Sequence, residues 1–349
     1  MRQRRRAEYR NRSSLSLPVP AACRGARMTG PLLSLNHVSH RFAVQRDWPA
    51  RARQKTALHD ISFTLDRGRT LAVVGEGGSG KSTLARVIAG LLKPSEGEVR
   101  FNGIDMYTRE RELQLQLRRH VRMVFQNPNA SLNPRTTIGQ QLELALQHLT
   151  QLGPRQRIER INEALSKVGL QADHKDHYPH QFSTGQRQRV AIARAIMLNP
   201  QLIVADEPIS TLDASVQAQI MNLMLDLQDT LSLSYVLISN DLAIAKVMSD
   251  QIMVMYAGEI MEYGPVETVY ETPLHPYTRA LFAASPSIRD VMKVSSTPLR
   301  GELGSAGMAA VGCPLSRRCP FADEHCKTAR PERRLMEQQL VFCHKAGEV

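Results

Sequence analysis

The sequence predicts an α/β fold, a mainly parallel sheet covered by helices on both faces. Three observations carry that expectation. The short uncharged runs Leu71–Val74, Leu202–Ala205 and Tyr235–Ser239 have the length and continuity of strands buried on both sides. Segments with helical spacing alternate with them, the pattern of a parallel sheet with crossover helices. A glycine-rich stretch joins the first run to the helix after it.

In chain order, Leu32–Phe42 reads as a strand with polar interruptions, and residues 43–56 as a polar, arginine-containing loop. Ala57–Leu65 is a second strand, closed by the turn at Arg67-Gly68. After the glycine-rich stretch, a helix over Lys81–Leu92 ends in turn chemistry at Pro94–Gly97. Residues 138–170 carry helical apolar spacing at Ile138, Leu142, Leu146, Ile158, Ile161, Leu165 and Val168. A helix over Gly185–Leu198 stops before Asn199-Pro200. Val216–Leu231 and Leu242–Met248 are helical, and Ile252–Tyr256 and Glu259–Glu262 form a hairpin about Gly258. Beyond Gly264 the chain turns proline-rich and irregular, which places a boundary there.

Composition narrows the function classes. Of 349 residues, 42% are hydrophobic, ordinary for a globular chain. No stretch approaches the roughly 18 uncharged apolar residues that span a bilayer. The formal charge of +12 is concentrated in residues 1–27, where eight arginines face the single Glu8 and leave only +5 to the rest. The high pI is thus a tail property, and no nucleic-acid partner is expected. Residues 1–31 read as a disordered basic tail, or as an over-long start with the true one at Met28. The other readings are a secretory signal, whose apolar core Leu15–Ala22 is broken by Pro18 and Pro20, and a basic arm for anionic surfaces.

The chemistry begins at Gly75-Glu76-Gly77-Gly78-Ser79-Gly80-Lys81-Ser82, which fits G-x-x-x-x-G-K-[ST] between a buried strand and a helix. The glycines let successive N–H groups turn around phosphate oxygens, and the helix N-terminus adds partial positive charge. Lys81 suits the β- and γ-phosphates of a nucleotide, and Ser82, with Thr83 next in the helix, suits Mg²⁺; kinases, GTPases, helicases and many others share such a loop. The run Leu202–Ala205 delivers Asp206 and Glu207, one carboxylate for Mg²⁺ and one to polarise the attacking water. Phe182-Ser183-Thr184-Gly185-Gln186-Arg187-Gln188-Arg189 opens a helix before that pair; a plain N-cap explains Ser183 but not the Gln-Arg pattern.

In order and spacing these motifs resemble the ATPase subunits of ABC transporters, over residues 32 to about 343. The resemblance implies a P-loop fold of ABC type, with an inserted helical subdomain over about 127–185, N-terminal antiparallel β elements and a nucleotide-binding domain over 32–264. Phe42 resembles the aromatic that stacks on adenine, and Gln126 the loop glutamine that contacts Mg²⁺ and attacking water. Ser183, Gly185 and Gln186 resemble the signature that meets the γ-phosphate held by a partner subunit, and Asp213 the acid of the loop crossing that interface. Asn127–Arg135 and His275–Leu281 resemble the dipeptide and oligopeptide importers within that family, and within that group the stretches Leu71–Gly80 and Ile252–Tyr256 look closest to the F-type dipeptide subunits. That implies an ATPase coupled to transport, with a second ATPase subunit (a heterodimer), two transmembrane permeases and an extracytoplasmic solute-binding protein. It also implies a peripheral place on the cytoplasmic face of the bacterial inner membrane. A soluble ABC protein of translation or repair would bring a duplicated domain or a long coiled coil, and the sequence has neither.

Two positions depart from the family pattern. Asn240, in Leu237-Ile238-Ser239-Asn240-Asp241-Leu242, stands where the family has a histidine, and an amide can donate a hydrogen bond but cannot titrate. Thr184 stands where the signature has its first glycine. An asymmetric dimer with a weakened site on this chain is the resulting alternative. Four of the five cysteines, Cys313, Cys319, Cys326 and Cys343, lie in a C-terminal extension over 265–349. Clustered thiols point to one local site, with an iron–sulfur cluster, Zn²⁺ or unliganded thiols as the readings. The resemblance favours a [4Fe–4S] cluster.

Overall fold

The computed structural model describes residues 30–44, 53–285, 298–301 and 311–348. Met28, Cys23 and nearly all of the basic tail lie outside the described residues, as does the middle of the loop expected over 43–56. Two sheets organise the rest. Strands β1 (Leu33–Val44), β2 (Arg53–Leu65), β4 (Glu96–Phe101) and β5 (Ile104–Asp105) form an antiparallel sheet in the order β2-β1-β4-β5.

The larger sheet carries the chemistry. Strands β3 (Thr70–Val74), β6 (Val121–Val124), β7 (Leu202–Asp206), β8 (Ser234–Ile238) and β9 (Gln251–Tyr256) run parallel. Antiparallel strands β10 (Glu259–Pro265), β12 (Gln339–Val341) and β11 (Arg334–Met336) extend one edge. The order is β11-β12-β10-β9-β3-β8-β7-β6, so strand pairing continues across position 264 into the C-terminal segment.

The uninterrupted apolar runs have a direct cause. Successive side chains on a strand point to opposite faces, and each face here meets a different core. Leu71 and Val73 of β3 pack with the antiparallel sheet, whereas Ala72 and Val74 pack with the C-terminal segment. Leu202 and Val204 of β7 join the first of these cores, and Ile203 and Ala205 a third one built with the helical region. Burying one of these valine, leucine or isoleucine side chains stabilises by about 1.5–3 kcal/mol.

Helices α1 (Lys81–Ile88), α2 (Arg111–His120), α3 (Pro128–Ser131), α4 (Ile138–Leu149), α5 (Pro154–Lys167) and α6 (Thr184–Ile196) come before β7 in the chain. Helices α7 (Ala214–Leu231), α8 (Leu242–Met248), α9 (Val266–Glu271), α10 (Pro276–Ala284) and α11 (Glu324–Thr328) follow it. The helical stretch expected over 138–170 is two helices, because Pro154 starts α5 at a position where a missing N–H costs nothing. The first helix ends at Ile88 rather than Leu92, since Gly90 adopts φ +70° and breaks the helical path. Strand β4 begins at Glu96, inside the turn read over Pro94–Gly97, and α2 has no counterpart in the sequence reading.

Candidate nucleotide site

The phosphate loop leaves β3 where the backbone has no room for a side chain. At Gly75, with φ +148°, a Cβ would fall 2.1 Å from the Met255 carbonyl oxygen, and at Gly80, with φ +102°, 2.6 Å from that of Ala57. Both glycines are therefore dictated by close backbone approach as well as conformation. Ser79 is buried, while Gly77 and Gly78 are exposed at the crest. The loop delivers the chain into α1, whose first turn has no side-chain cap and no acid, so its N–H groups and partial positive charge remain for an anion.

Lys81, the first residue of α1, folds back over the loop. Its Nζ donates to the carbonyls of Gly75 at 2.7 Å and Glu76 at 2.8 Å and to Ser79 Oγ at 3.4 Å. Burial lowers its pKa, opposed by the nearby Glu207, Asp206 and Glu76 carboxylates. An anionic ligand in the loop would favour the charged form.

Strand β7 brings the two acids to the same place. Asp206 Oδ1 accepts from Ser82 Oγ at 3.1 Å, joining two residues 124 positions apart, and burial raises its pKa. Glu207 follows with φ +45°, a left-handed conformation costly for a non-glycine residue, pinned by its N–H donating to the Ile238 carbonyl at 3.0 Å. Its carboxylate is held on both sides. Gln126 Nε2 donates to Oε2 at 2.9 Å and Asn240 Nδ2 to Oε1 at 2.5 Å. The phosphate loop, the acids, Gln126 and Asn240 thus converge, and Asn240 lies on the carboxylate expected to orient water.

The remaining candidates stand apart. Ser183 caps α6: its Oγ accepts from Gln186 N–H at 3.2 Å, and its own N–H donates to Gln186 Oε1 at 2.9 Å. Gly185 abuts the Val216 side chain, which a Cβ would approach to 2.7 Å. Thr184 Oγ1 accepts from Arg187 at 3.4 Å. Asp213 precedes α7 without capping it by its side chain. Phe42 is 39% exposed and meets the ring of His40 edge-on at 4.6 Å. The exposed Ser183 and Phe42 have the accessibility that ligand contact requires.

The four C-terminal cysteines are free thiols that line one cavity with His275 and Phe321. Cys313 N–H donates to the Cys326 carbonyl at 2.8 Å, so two of the segments are tied directly. Burial pushes Cys313 up to about 12 and Cys343 up to about 11, and raises Cys319 and Cys326 as well. Among the described residues, no three His, Cys, Asp or Glu side chains are grouped as ligands of a metal ion. Sequence reasoning missed a second layer around the phosphate loop. Glu76 N–H donates to Tyr277 Oη at 2.9 Å, and Arg318 pairs with the Glu76 carboxylate. Tyr277 falls in the segment already singled out at 275–281, but Arg318 had no local signal.

Comparison with known proteins agrees with this architecture. Residues 58–210 match the ABC transporter family, and residues 261–326 match the oligopeptide/dipeptide transporter C-terminal region. The chain is 44% identical over 317 residues to the di/tripeptide transport ATP-binding protein DppF of Pseudomonas aeruginosa (strain UCBPP-PA14), covering 91% of this chain and 98% of that protein. It is 43% identical to the dipeptide transport ATP-binding protein DppF of Escherichia coli (strain K12), covering 91% and 95%. Among solved structures, the dimeric post-hydrolysis state of the ATP-binding cassette MJ0796, bound to ADP and Pi, superposes with a TM-score of 0.59 at 30% identity, covering 67% of this chain and 98% of that one. With a phosphate loop, an acid pair and a signature helix on an ABC-type P-loop fold, the chain belongs to the ABC transporter ATP-binding subunits of the dipeptide and oligopeptide transport family.

Proposed function

We propose that this chain hydrolyses ATP to drive import of dipeptides or oligopeptides through a separate membrane channel. The observation that carries the reading is the Glu207 carboxylate, held between Gln126 and Asn240 beside the Ser82–Asp206 pair and Lys81. Lys81 and the loop N–H groups bind the phosphates, Phe42 stacks on adenine, and Glu207 orients water toward the γ-phosphorus. Mg²⁺, when bound, neutralises phosphate charge, and Ser82, Asp206 and Gln126 are the residues to hold it. Ser183, Gly185 and Gln186 close on the nucleotide of a second ATPase subunit, with Asp213 at the junction. Movement of Gln126 and its loop is passed to two permeases, and an extracytoplasmic solute-binding protein selects the cargo. The subunit works at the cytoplasmic face of the inner membrane. Residues 32–264 serve as the nucleotide-binding domain and 265–349 as its extension.

The chemistry of the donor set supports the reading of a [4Fe–4S] cluster held by Cys313, Cys319, Cys326 and Cys343: they are four soft donors that line one cavity. When bound, a cluster would supply positive charge that ionises the thiols and a cross-link between distant segments. Iron, sulfide and zinc analysis of anaerobically purified protein separates this from Zn²⁺. Uptake of a radiolabelled dipeptide by cells lacking this gene tests the transport reading. Uptake should fall and be restored by the wild-type chain but not by Glu207→Gln; undiminished uptake contradicts it.

Asn240 favours a second reading in which the site on this chain turns over slowly within an asymmetric pair. Its amide supplies a hydrogen bond to Glu207 but cannot exchange a proton. Asn240→His in the assembled complex should then raise steady-state turnover; an unchanged rate at unchanged ATP affinity removes the second reading.

A further inference from the structure

The phosphate loop carries an acid that its own chemistry does not call for. Glu76, beside Gly75 and Gly77, would place a bare carboxylate close to bound phosphates, and its charge already acts on Lys81. Like charges in a partly dry site repel strongly. The C-terminal segment answers that problem. Arg318 Nη1 donates to both Glu76 oxygens, at 3.1 and 3.0 Å, from a side chain only 7% exposed. Its Nε donates to the carbonyls of Arg300 at 3.3 Å and Gly301 at 3.2 Å, and its guanidinium stands 5.5 Å from the Tyr256 ring centre. Tyr256 in turn packs at 4.9 Å against Tyr277, whose hydroxyl accepts the Glu76 N–H. Arg318 is held at its base too, its N–H donating to the Leu315 carbonyl at 2.8 Å in the turn between Cys313 and Cys319.

We propose that Arg318 is a positioning residue for the nucleotide: it neutralises the Glu76 carboxylate and holds it in place, so that the phosphate loop presents a net positive face to ATP. This rests on the reading of that loop as the nucleotide site. Glu76 also offers its backbone carbonyl to Lys81 Nζ, a contact that does not involve the carboxylate and so survives its neutralisation. Without Arg318 the freed carboxylate would compete for Lys81 and repel phosphate. A purely structural arginine would do neither, and removing Glu76 would not rescue its loss.

The test is the Kd for Mg-ATP of the purified full chain, with thermal unfolding in the absence of nucleotide as the check on folding. Arg318→Ala should raise Kd about tenfold, and Arg318→Lys less, because a lysine keeps the charge but not the fork. Adding Glu76→Gln to Arg318→Ala should return Kd to within about threefold of wild type. A Kd for Arg318→Ala within twofold of wild type, or a loss that Glu76→Gln does not relieve, overturns the proposal. Should Arg318→Ala not fold, Glu76→Gln alone decides: neutralisation predicts near-wild-type affinity, and a tenfold loss contradicts it. Lys81→Ala in the same series separates the two levels. If it still binds Mg-ATP, the nucleotide reading fails; if it loses binding while Arg318→Ala does not, only the role of Arg318 fails.

Discussion

The phosphate loop and the cysteine cavity are linked through Arg318 yet are built on opposite principles. The loop is one unbroken stretch whose donors are backbone N–H groups and one lysine, already hydrogen-bonded in place. An anion entering it finds positive potential fixed in advance. The cavity draws its four thiols from positions 313 to 343, and burial there opposes the ionisation that a metal requires. The first site is preorganised by hydrogen bonds and close backbone packing around one contiguous stretch. The second needs its ligand to set the charge state of its own residues.

Substitutions sharpen that contrast. The largest effect is expected at Glu207. Glu207→Gln should lower steady-state ATP turnover of the assembled complex by about 100-fold or more while Mg-ATP is still retained. Equal loss of binding and turnover would place Glu207 in nucleotide binding instead.

The next effect is expected at the thiols, as a dependence of stability on pH. Their folded pKa values lie above the ordinary thiol range, up to about 12 at Cys313 and about 11 at Cys343. In that window the folded chain holds protons that the unfolded chain has lost. Their contribution to stability is therefore complete below about pH 8.5 and declines as pH rises toward the folded values. Thermal unfolding of metal-free protein under reducing conditions should show a midpoint falling between pH 8 and 10.5, and Cys313→Ser should flatten the slope. A slope unchanged by that substitution would assign it to other groups. Protein carrying a thiolate-bound centre should lack the thiol component altogether.

The smallest effect is expected at the signature helix. Ser183→Ala removes the oxygen that accepts from Gln186 N–H and should cost about 1 kcal/mol of stability by chemical denaturation. Mg-ATP binding by the isolated chain should stay unchanged under the proposal that Ser183 serves a partner's nucleotide. A weakened affinity in the isolated chain would break that assignment.

What the sequence disclosed follows the same division. Gly75 to Ser82 and the pair Asp206-Glu207 are contiguous, so strand, turn and helix can be read together. Gln126 and Asn240 lie 81 and 33 residues from Glu207, and resemblance, not spacing, brought them to attention. Helix α2 went unread because Arg-Glu-Leu-Gln-Leu-Gln-Leu-Arg-Arg-His alternates like an exposed strand and buries only Leu117. The split between α4 and α5 was legible at Gly153-Pro154, although the apolar spacing continued across it. Pairing of β12 with β10, and the Arg318–Glu76 contact over 242 residues, depend on tertiary closure that no local pattern encodes.

The central claim is that the loop ending at Lys81 and Ser82 binds Mg-ATP for hydrolysis. Equilibrium binding of Mg-ATP to the full chain, compared with Lys81→Ala, tests it most directly. The wild-type chain should bind saturably at one nucleotide per chain and the variant about 100-fold more weakly, with thermal unfolding in the absence of nucleotide nearly unchanged. Equal affinity in the two proteins would contradict the account.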